Sequence, residues 1–313
     1  MEIPPKWYLT VVCAVLISTS AALGNENPAT TLKTTPQASQ NSGHVRRHKL
    51  YIAPILTTDS YRDYVVKTSY GPNFGHGHVE ILKASHLVWS ADGFRFFIGK
   101  MYESDSDAKL VEMGKDITGN GQPDLLISEW TGGAHCCLMF HIFEIGSQFR
   151  EIATIDEAST DAGPHFRLGQ GPGLDIVVSD WTFAYWETSF AESPAPDVIL
   201  RYRNGQYRFA ADAMWKAPPK LAELESKAKE IDDTDADEAY PPSALWAEML
   251  DLIYTGHADL ARKFLDMSWR PPLSGSRELI FRNKQDFWRA FRARLARSRY
   301  WPEIREFNKG QNL

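Results

Sequence analysis

Cysteine is scarce: the 313 residues include only three, and one of them, Cys13, lies inside an amino-terminal apolar run. A small scaffold held by several disulfides is therefore excluded. Positive charge is not in surplus either. The 34 Lys and Arg stand against 40 Asp and Glu, for a net charge of −6. A surface that neutralises phosphates throughout is excluded, and no nucleic-acid partner is expected. Long apolar runs are missing apart from Leu9–Ile17, and the mean hydropathy is −0.36. This excludes a polytopic membrane protein. The chain also lacks G-x-S-x-G, H-E-x-x-H, a phosphate-binding Gly-Lys-Ser/Thr loop and a dinucleotide fingerprint, so no catalytic residues are assigned. What is present is 43% hydrophobic residues, enough to bury a core, and 10 Trp, which favour aromatic-rich β-structure.

The amino terminus reads as a signal peptide over 1–24. A lysine precedes the apolar centre, and small residues around Ala22 and Gly24 follow it. The protein is accordingly expected to be exported, periplasmic or extracellular, with no stable membrane span after cleavage. Residues 25–48 are rich in Thr, Ser, Asn, Gln and Pro and read as a disordered linker. Export leaves two cysteines, the adjacent Cys136 and Cys137. An oxidising compartment favours a disulfide between them, whereas two buried thiols would serve as small apolar groups.

Two further regions follow. Residues 50–212 carry short Val/Ile/Phe/Tyr runs between Gly, Asn, Asp and Pro, the pattern of β-strands. Asn204-Gly205 predicts a two-residue hairpin, because a type I′ turn needs positive φ twice. Gly146-Ser147 is a second turn signal. The region repeats itself: Asp124–Thr131 (DLLISEWT) aligns with Asp175–Thr182 (DIVVSDWT), and Gln148–Arg150 with Gln206–Arg208. The second copy is longer, and the extra residues fall in Thr188–Pro196. A weaker upstream copy is read over Val79–Gly99. From about 220 to 310 the apolar period becomes helical, with predicted helices at 221–232, 244–254, 259–267 and 284–298. The expected fold class is α+β: a mainly-β amino-terminal domain of blade-like antiparallel repeats, then a small helical carboxy-terminal domain.

One loop has metal-ligand spacing. In Asp116-Ile-Thr-Gly-Asn-Gly-Gln-Pro-Asp124, the residues Asp116, Thr118, Asn120 and Asp124 occupy positions 1, 3, 5 and 9. Gly121 stands at the sharp turn of position 6, and the carbonyl of Gln122 would supply position 7. Oxygen ligands on alternate residues converge on a hard cation. The loop resembles those of FG-GAP and VCBS-type repeats, with the closer match over Gly114–Trp130 and a looser one over 79–210. The resemblance implies a secreted β-propeller-like protein whose loops bind Ca²⁺ structurally and whose surfaces bind proteins or glycans. The chain departs from that pattern in having only two carboxylates in the loop. In the second copy Arg167, Gly169 and Gly171 replace the ligands, so that copy should bind no metal.

Other candidates are weaker. His135, Cys137, Met139 and His141 would share one face of a regular strand and offer zinc or copper ligands. His76, His78 and Glu80 have alternate spacing. Trp181, Phe183 and Tyr185 would form an aromatic strip for a ligand, with blade packing as the competing role. The arginines of 289–299 make the last predicted helix basic. The expected function is an exported, non-catalytic binding or structural module with one calcium-type loop and an unidentified protein or glycan partner. The alternatives are a zinc- or copper-dependent hydrolase or redox protein, and a glycan-binding module.

Overall fold

The computed structural model describes residues 55–71, 76–133, 137–158, 165–232, 239–271 and 279–313. The signal-peptide and linker readings lie outside them. Among the described residues, twelve strands form three antiparallel sheets of four strands each. The first holds β1 (Ile55–Tyr61), β2 (Tyr64–Tyr70), β3 (Gly77–Lys83) and β4 (His86–Gly93). The second holds β5 (Arg95–Ile98), β6 (Asp124–Trp130), β7 (Leu138–Ile145) and β8 (Phe149–Asp156). The third holds β9 (Phe166–Leu168), β10 (Leu174–Ser179), β11 (Asp197–Arg203) and β12 (Gln206–Phe209). Each sheet is a meander, with every strand beside its sequence neighbour. Helices follow: α1 (Ala211–Met214), α2 (Leu221–Asp232), α3 (Ser243–Tyr254), α4 (Ala258–Ser268), α5 (Lys284–Leu295) and α6 (Trp301–Phe307). The α+β layout expected from the sequence is the layout observed.

The alternation of side chains explains the layering. The central sheet is buried on both faces. Leu125 and Ile127 of β6, with Phe143 and Ile145 of β7, pack on Tyr64, Val66, Val79 and Ile81 of the first sheet. Leu126, Phe140 and Ile142 point the other way and join Ile176, Val178, Val198 and Leu200 of the third sheet. The same apolar core continues through Trp246, Met249, Phe264, Phe287 and Phe291 of the helices. The β region and the helices therefore share one core, because the third sheet and the amphipathic helices each have an apolar face to remove from water.

The internal repeat has a structural counterpart. Its two copies begin β6 and β10, each the second strand of its sheet, and the downstream pair marks β8 and β12, each the fourth. The upstream copy differs. Val79–Gly99 crosses from the first sheet into the second, and the second strand of the first sheet is Tyr64–Tyr70. The Asn204-Gly205 hairpin forms as expected: Arg203 pairs with Gln206, and φ is 53° at Asn204 and 85° at Gly205. At Gly146 the turn is longer, since Ile145 pairs with Phe149.

The segment after β10 leaves the sheet. Trp181–Phe183 is a short 3-10 helix and not a strand continuation. Asp180 caps it, accepting from the Thr182 amide at 2.9 Å. The other carboxylate oxygen of Asp180 accepts from Tyr254 Oη at 2.6 Å, and Ser298 Oγ donates to it as well. Asp180 is 5% exposed, so one buried carboxylate joins the third sheet, α3 and the turn after α5. Burial, followed by the Asp180 charge, raises the Tyr254 phenol above its ordinary range and keeps it a donor. Beyond the 3-10 helix, Trp186 enters the helical core beside Trp246, Phe281, Phe287 and Phe291, with ring centroids 5.2–6.3 Å apart.

Replacing Asp180 by Ala leaves two buried hydroxyls without an acceptor, which should cost about 3 kcal/mol. Tyr254→Phe removes one donor with its hydroxyl and should cost about 1 kcal/mol. Urea unfolding of both variants checks the order; equal losses would show that Asp180 does not serve several donors.

Candidate functional site

The loop from Asp116 to Asp124 runs between the start of the second sheet and β6 and packs on the third sheet. Its backbone meets the β9–β10 turn directly: the Leu174 amide donates to the Ile117 carbonyl at 2.8 Å. A Cβ on Gly119 would lie 2.1 Å from the Gly173 nitrogen, and φ there is 74°. Gly119 is thus needed for both space and conformation.

All five predicted ligand residues lie in this turn. Asp116 Oδ1 accepts from the Gly119 and Asn120 amides at 2.6 and 3.1 Å, and Oδ2 from Gly121 at 2.8 Å. Thr118 Oγ1 donates to Asp116 Oδ1 at 3.5 Å. Asn120 Oδ1 accepts from the Gln122 amide at 2.8 Å, while its Nδ2 donates to Glu144 Oε2 at 2.9 Å. Asp124 Oδ2 accepts from the Thr118 amide at 2.8 Å. Asp124 Oδ1 is buried with no hydrogen-bond partner. Asp124 is fully buried, and that burial pushes its carboxyl up to about 6. Tyr207 Oη is also buried without a partner, close enough for the charges of Asp124 and Asp116 to raise its pKa further after burial has done so.

The second repeat shows what completes such a carboxylate. Asp175 stands where the first repeat has Asp124, and its cross-strand partner is Arg201. Arg201 donates to both Asp175 oxygens, at 2.5 and 2.7 Å. In the first repeat the cross-strand partner of Asp124 is Glu144. Glu144 is itself balanced by Arg150 at 3.1 Å. The internal cation of one repeat is thus replaced by an acid in the other, which leaves a buried carboxylate oxygen without a donor. An all-oxygen donor set of Asp116, Thr118, Asn120, Asp124 and the Gln122 carbonyl fits a hard cation such as Ca²⁺. Two carboxylates are the whole of its charge. Among the described residues no group of three or more His, Cys, Asp or Glu side chains is arranged to hold a metal ion.

The remaining predicted residues do not converge on this loop. Cys137 is disulfide-bonded, whereas Cys136 and His135 lie outside the described residues. His141 has both ring nitrogens engaged, Nε2 with Glu129 at 3.0 Å and Nδ1 with Thr154 Oγ1 at 3.1 Å. His78 contacts Asp92 at 2.7 Å and Glu80 at 3.3 Å; the Asp92 hydrogen bond is the main cause of its raised pKa. His76 sits at the turn before β3 with φ 60°. The aromatic strip is divided. Phe183 is 1% exposed in the core, Trp181 stacks on Phe190 at 4.7 Å, and only Tyr185 is well exposed, at 63%. Of the basic helix, Arg294 is occupied in holding the Thr182 and Ala184 carbonyls.

Sequence reasoning missed a buried charged network between the second and third sheets. Lys100 Nζ lies 2.7 Å from His165 Nδ1, 3.1 Å from Asp105 and 3.4 Å from Asp107. His165 Nε2 faces Glu157 at 3.6 Å, and Glu157 accepts from the Ser179 amide. Asp107 Oδ2 accepts from the amides of His165 and Phe166, both at 2.8 Å. Lys100 and His165 are 65 residues apart, so no local signal joins them. Burial holds the Glu157 carboxyl above its ordinary value of 4.5 despite His165 and Ser179. A raised carboxyl stabilises the fold fully below its unfolded value, and that contribution is lost as pH rises through the folded one. Glu157→Gln should therefore gain stability relative to the unmodified chain as pH rises from acidic to neutral. Chemical unfolding across that range measures it, and a pH-independent difference would contradict the shift.

No family model matches the chain, and no solved structure matches it. Among curated proteins it is similar to a probable thylakoid lumen protein of Synechocystis sp., at 31% identity over 100 residues. The alignment covers 31% of this chain and 29% of the relative, so the chain spans less than a third of the length of the curated protein it matches.

Proposed function

We propose that this chain is an exported, non-catalytic binding or structural module whose Asp116–Asp124 loop takes one Ca²⁺-type cation. The observation that carries the reading is the exchange of Arg201 for Glu144 across from the repeated buried aspartate. A cation held by Asp116, Thr118, Asn120, the Gln122 carbonyl and Asp124 would do for the first repeat what the guanidinium does for the second. The loop packs on the β9–β10 turn, so the ion would stiffen the junction of two sheets. The three four-stranded meanders, the strand-for-strand repeat and the loop spacing also support kinship with FG-GAP and VCBS-type repeats. Export is supported by the signal-like amino terminus and by the lumenal name of the similar Synechocystis protein. No described helix is long and apolar enough to cross a membrane.

Thermal unfolding of the full chain in EDTA and in excess CaCl₂ tests the loop. Saturation at about 100 times Kd adds about 2.7 kcal/mol, and Tm should rise by about 5–10 °C. Asp116→Ala should abolish the calcium response. Glu144→Arg should raise Tm in EDTA and leave little response to calcium, because the chain then carries its own cation. A Tm indifferent to calcium in the unmodified chain would overturn the cation reading, as would a Glu144→Arg variant that still needs the ion.

A further inference from the structure

The third sheet brings one more residue to the cation loop, Tyr207 of β12. Asp124 lies on the face of β6 that carries Leu126, and Leu126 shares a core with Val198 and Leu200 of the third sheet. Tyr202 follows Leu200 on the same face of β11. Tyr207 is the partner of Tyr202 across the ladder, with ring centroids 5.4 Å apart. The two faces therefore look at each other across one interlayer space.

Several contacts hold the tyrosine pair against the row Asp124–Glu144–Arg150 of the second sheet. Tyr202 and Thr118 of the loop line one cavity of about 240 Å³. Arg150 binds Glu144 at 3.1 Å, and Glu144 first, then Tyr202, raise its guanidinium above the ordinary value. Glu144 is the cross-strand partner of Asp124 and accepts from Asn120 Nδ2. Burial raises the Tyr207 phenol, and the charge of Asp124 raises it next.

Two buried oxygens in this space have no partner, Asp124 Oδ1 and Tyr207 Oη. They are near enough for the charge on one to act on the other, yet they do not hydrogen-bond to each other. A phenol oxygen both donates and accepts. Buried polar atoms of this kind are commonly met by a water or an ion.

The internal repeat supplies a comparison. Gln148-Phe149-Arg150 aligns with Gln206-Tyr207-Arg208, so the first copy has phenylalanine where the second has tyrosine. Phe149 faces the first sheet and packs on Tyr64, with ring centroids 6.3 Å apart. Tyr207 faces the second sheet and Asp124. The hydroxyl is present where the facing residue is a buried aspartate and absent where it is an aromatic ring.

We infer that Tyr207 belongs to the cation site, its hydroxyl oxygen accepting from a water bound to the cation in the Asp116–Asp124 loop. The inference rests on the cation reading above. Five residues giving one oxygen each leave a Ca²⁺ shell of about six to eight oxygens incomplete, and water completes it. A water held between two sheets needs acceptors, and Tyr207 Oη has lone pairs to offer. Tyr207 is thus a positioning residue that acts through the water. Without the ion its hydroxyl adds nothing to the fold, because it makes no hydrogen bond there.

Calorimetric titration of the full chain with CaCl₂, unmodified and as Tyr207→Phe, tests this together with thermal unfolding of both in EDTA. The substitution keeps the ring and removes only the hydroxyl. Calcium should bind about tenfold more weakly to the variant. Its Tm in EDTA should be equal or higher, because an unpartnered buried hydroxyl is gone. A merely structural hydroxyl would act the other way, lowering Tm in EDTA and leaving Kd unchanged. The inference is overturned if the variant binds calcium as tightly as the unmodified chain, melts lower in EDTA or fails to fold. If the unmodified chain itself takes up no calcium, the cation reading fails and this inference fails with it.

Discussion

Satisfying buried carboxylates is the constraint on which the arrangement of sheets and helices depends. Asp180 shows it most directly. A charged oxygen out of contact with water must collect donors, and it draws them from its own 3-10 helix, from Tyr254 and from Ser298. Those donors come from segments as far as 118 residues away in sequence. Apolar burial brings the helices onto the third sheet, and the carboxylate fixes how they sit there, because a hydrogen bond has a direction that apolar contact lacks.

The same demand explains the divergence of the two repeats. Asp124 and Asp175 begin equivalent strands and are both buried. One is answered by an arginine across the ladder, whereas the other has an acid there and keeps an oxygen without a donor. A third, partial solution appears at Asp107, whose Oδ2 accepts two backbone amides beside the buried Lys100 while its Oδ1 has no hydrogen-bond partner. Within one β region, then, a buried acid is met by a guanidinium, by an ammonium with amides, or by a loop suited to an external ion.

Much of the fold was legible because its signals are local. Asn204-Gly205 announced a hairpin through the backbone freedom of two adjacent residues, and the helices at 221–232 and 243–254 showed their apolar period. The repeat DLLISEWT/DIVVSDWT marked equivalent strands of two sheets. Alternation failed after β10. Trp181, Phe183 and Tyr185 read as one strand face, but Asp180 ends the strand by capping a 3-10 helix, so Phe183 turns into the core and Tyr185 out to water. The loop at 116–124 was legible as a turn of oxygen-bearing residues. That Asp124 is wholly buried with one oxygen unpartnered was not, because this depends on the third sheet closing over it.

The sequence by itself determined most of the segments that become strands and helices, the positive φ of the Asn204-Gly205 turn, and which residues repeat. These follow from backbone sterics and from the period of apolar side chains, both of which act over a few residues. Only the tertiary structure decided that Glu144 faces Asp124 where Arg201 faces Asp175, that Lys100 meets His165, and that Trp186 packs against Trp246. Strand register and helix docking place these groups together across long stretches of chain. Register comes from matching whole apolar faces, so the charged pairs it creates cannot be read from either partner's own neighbourhood.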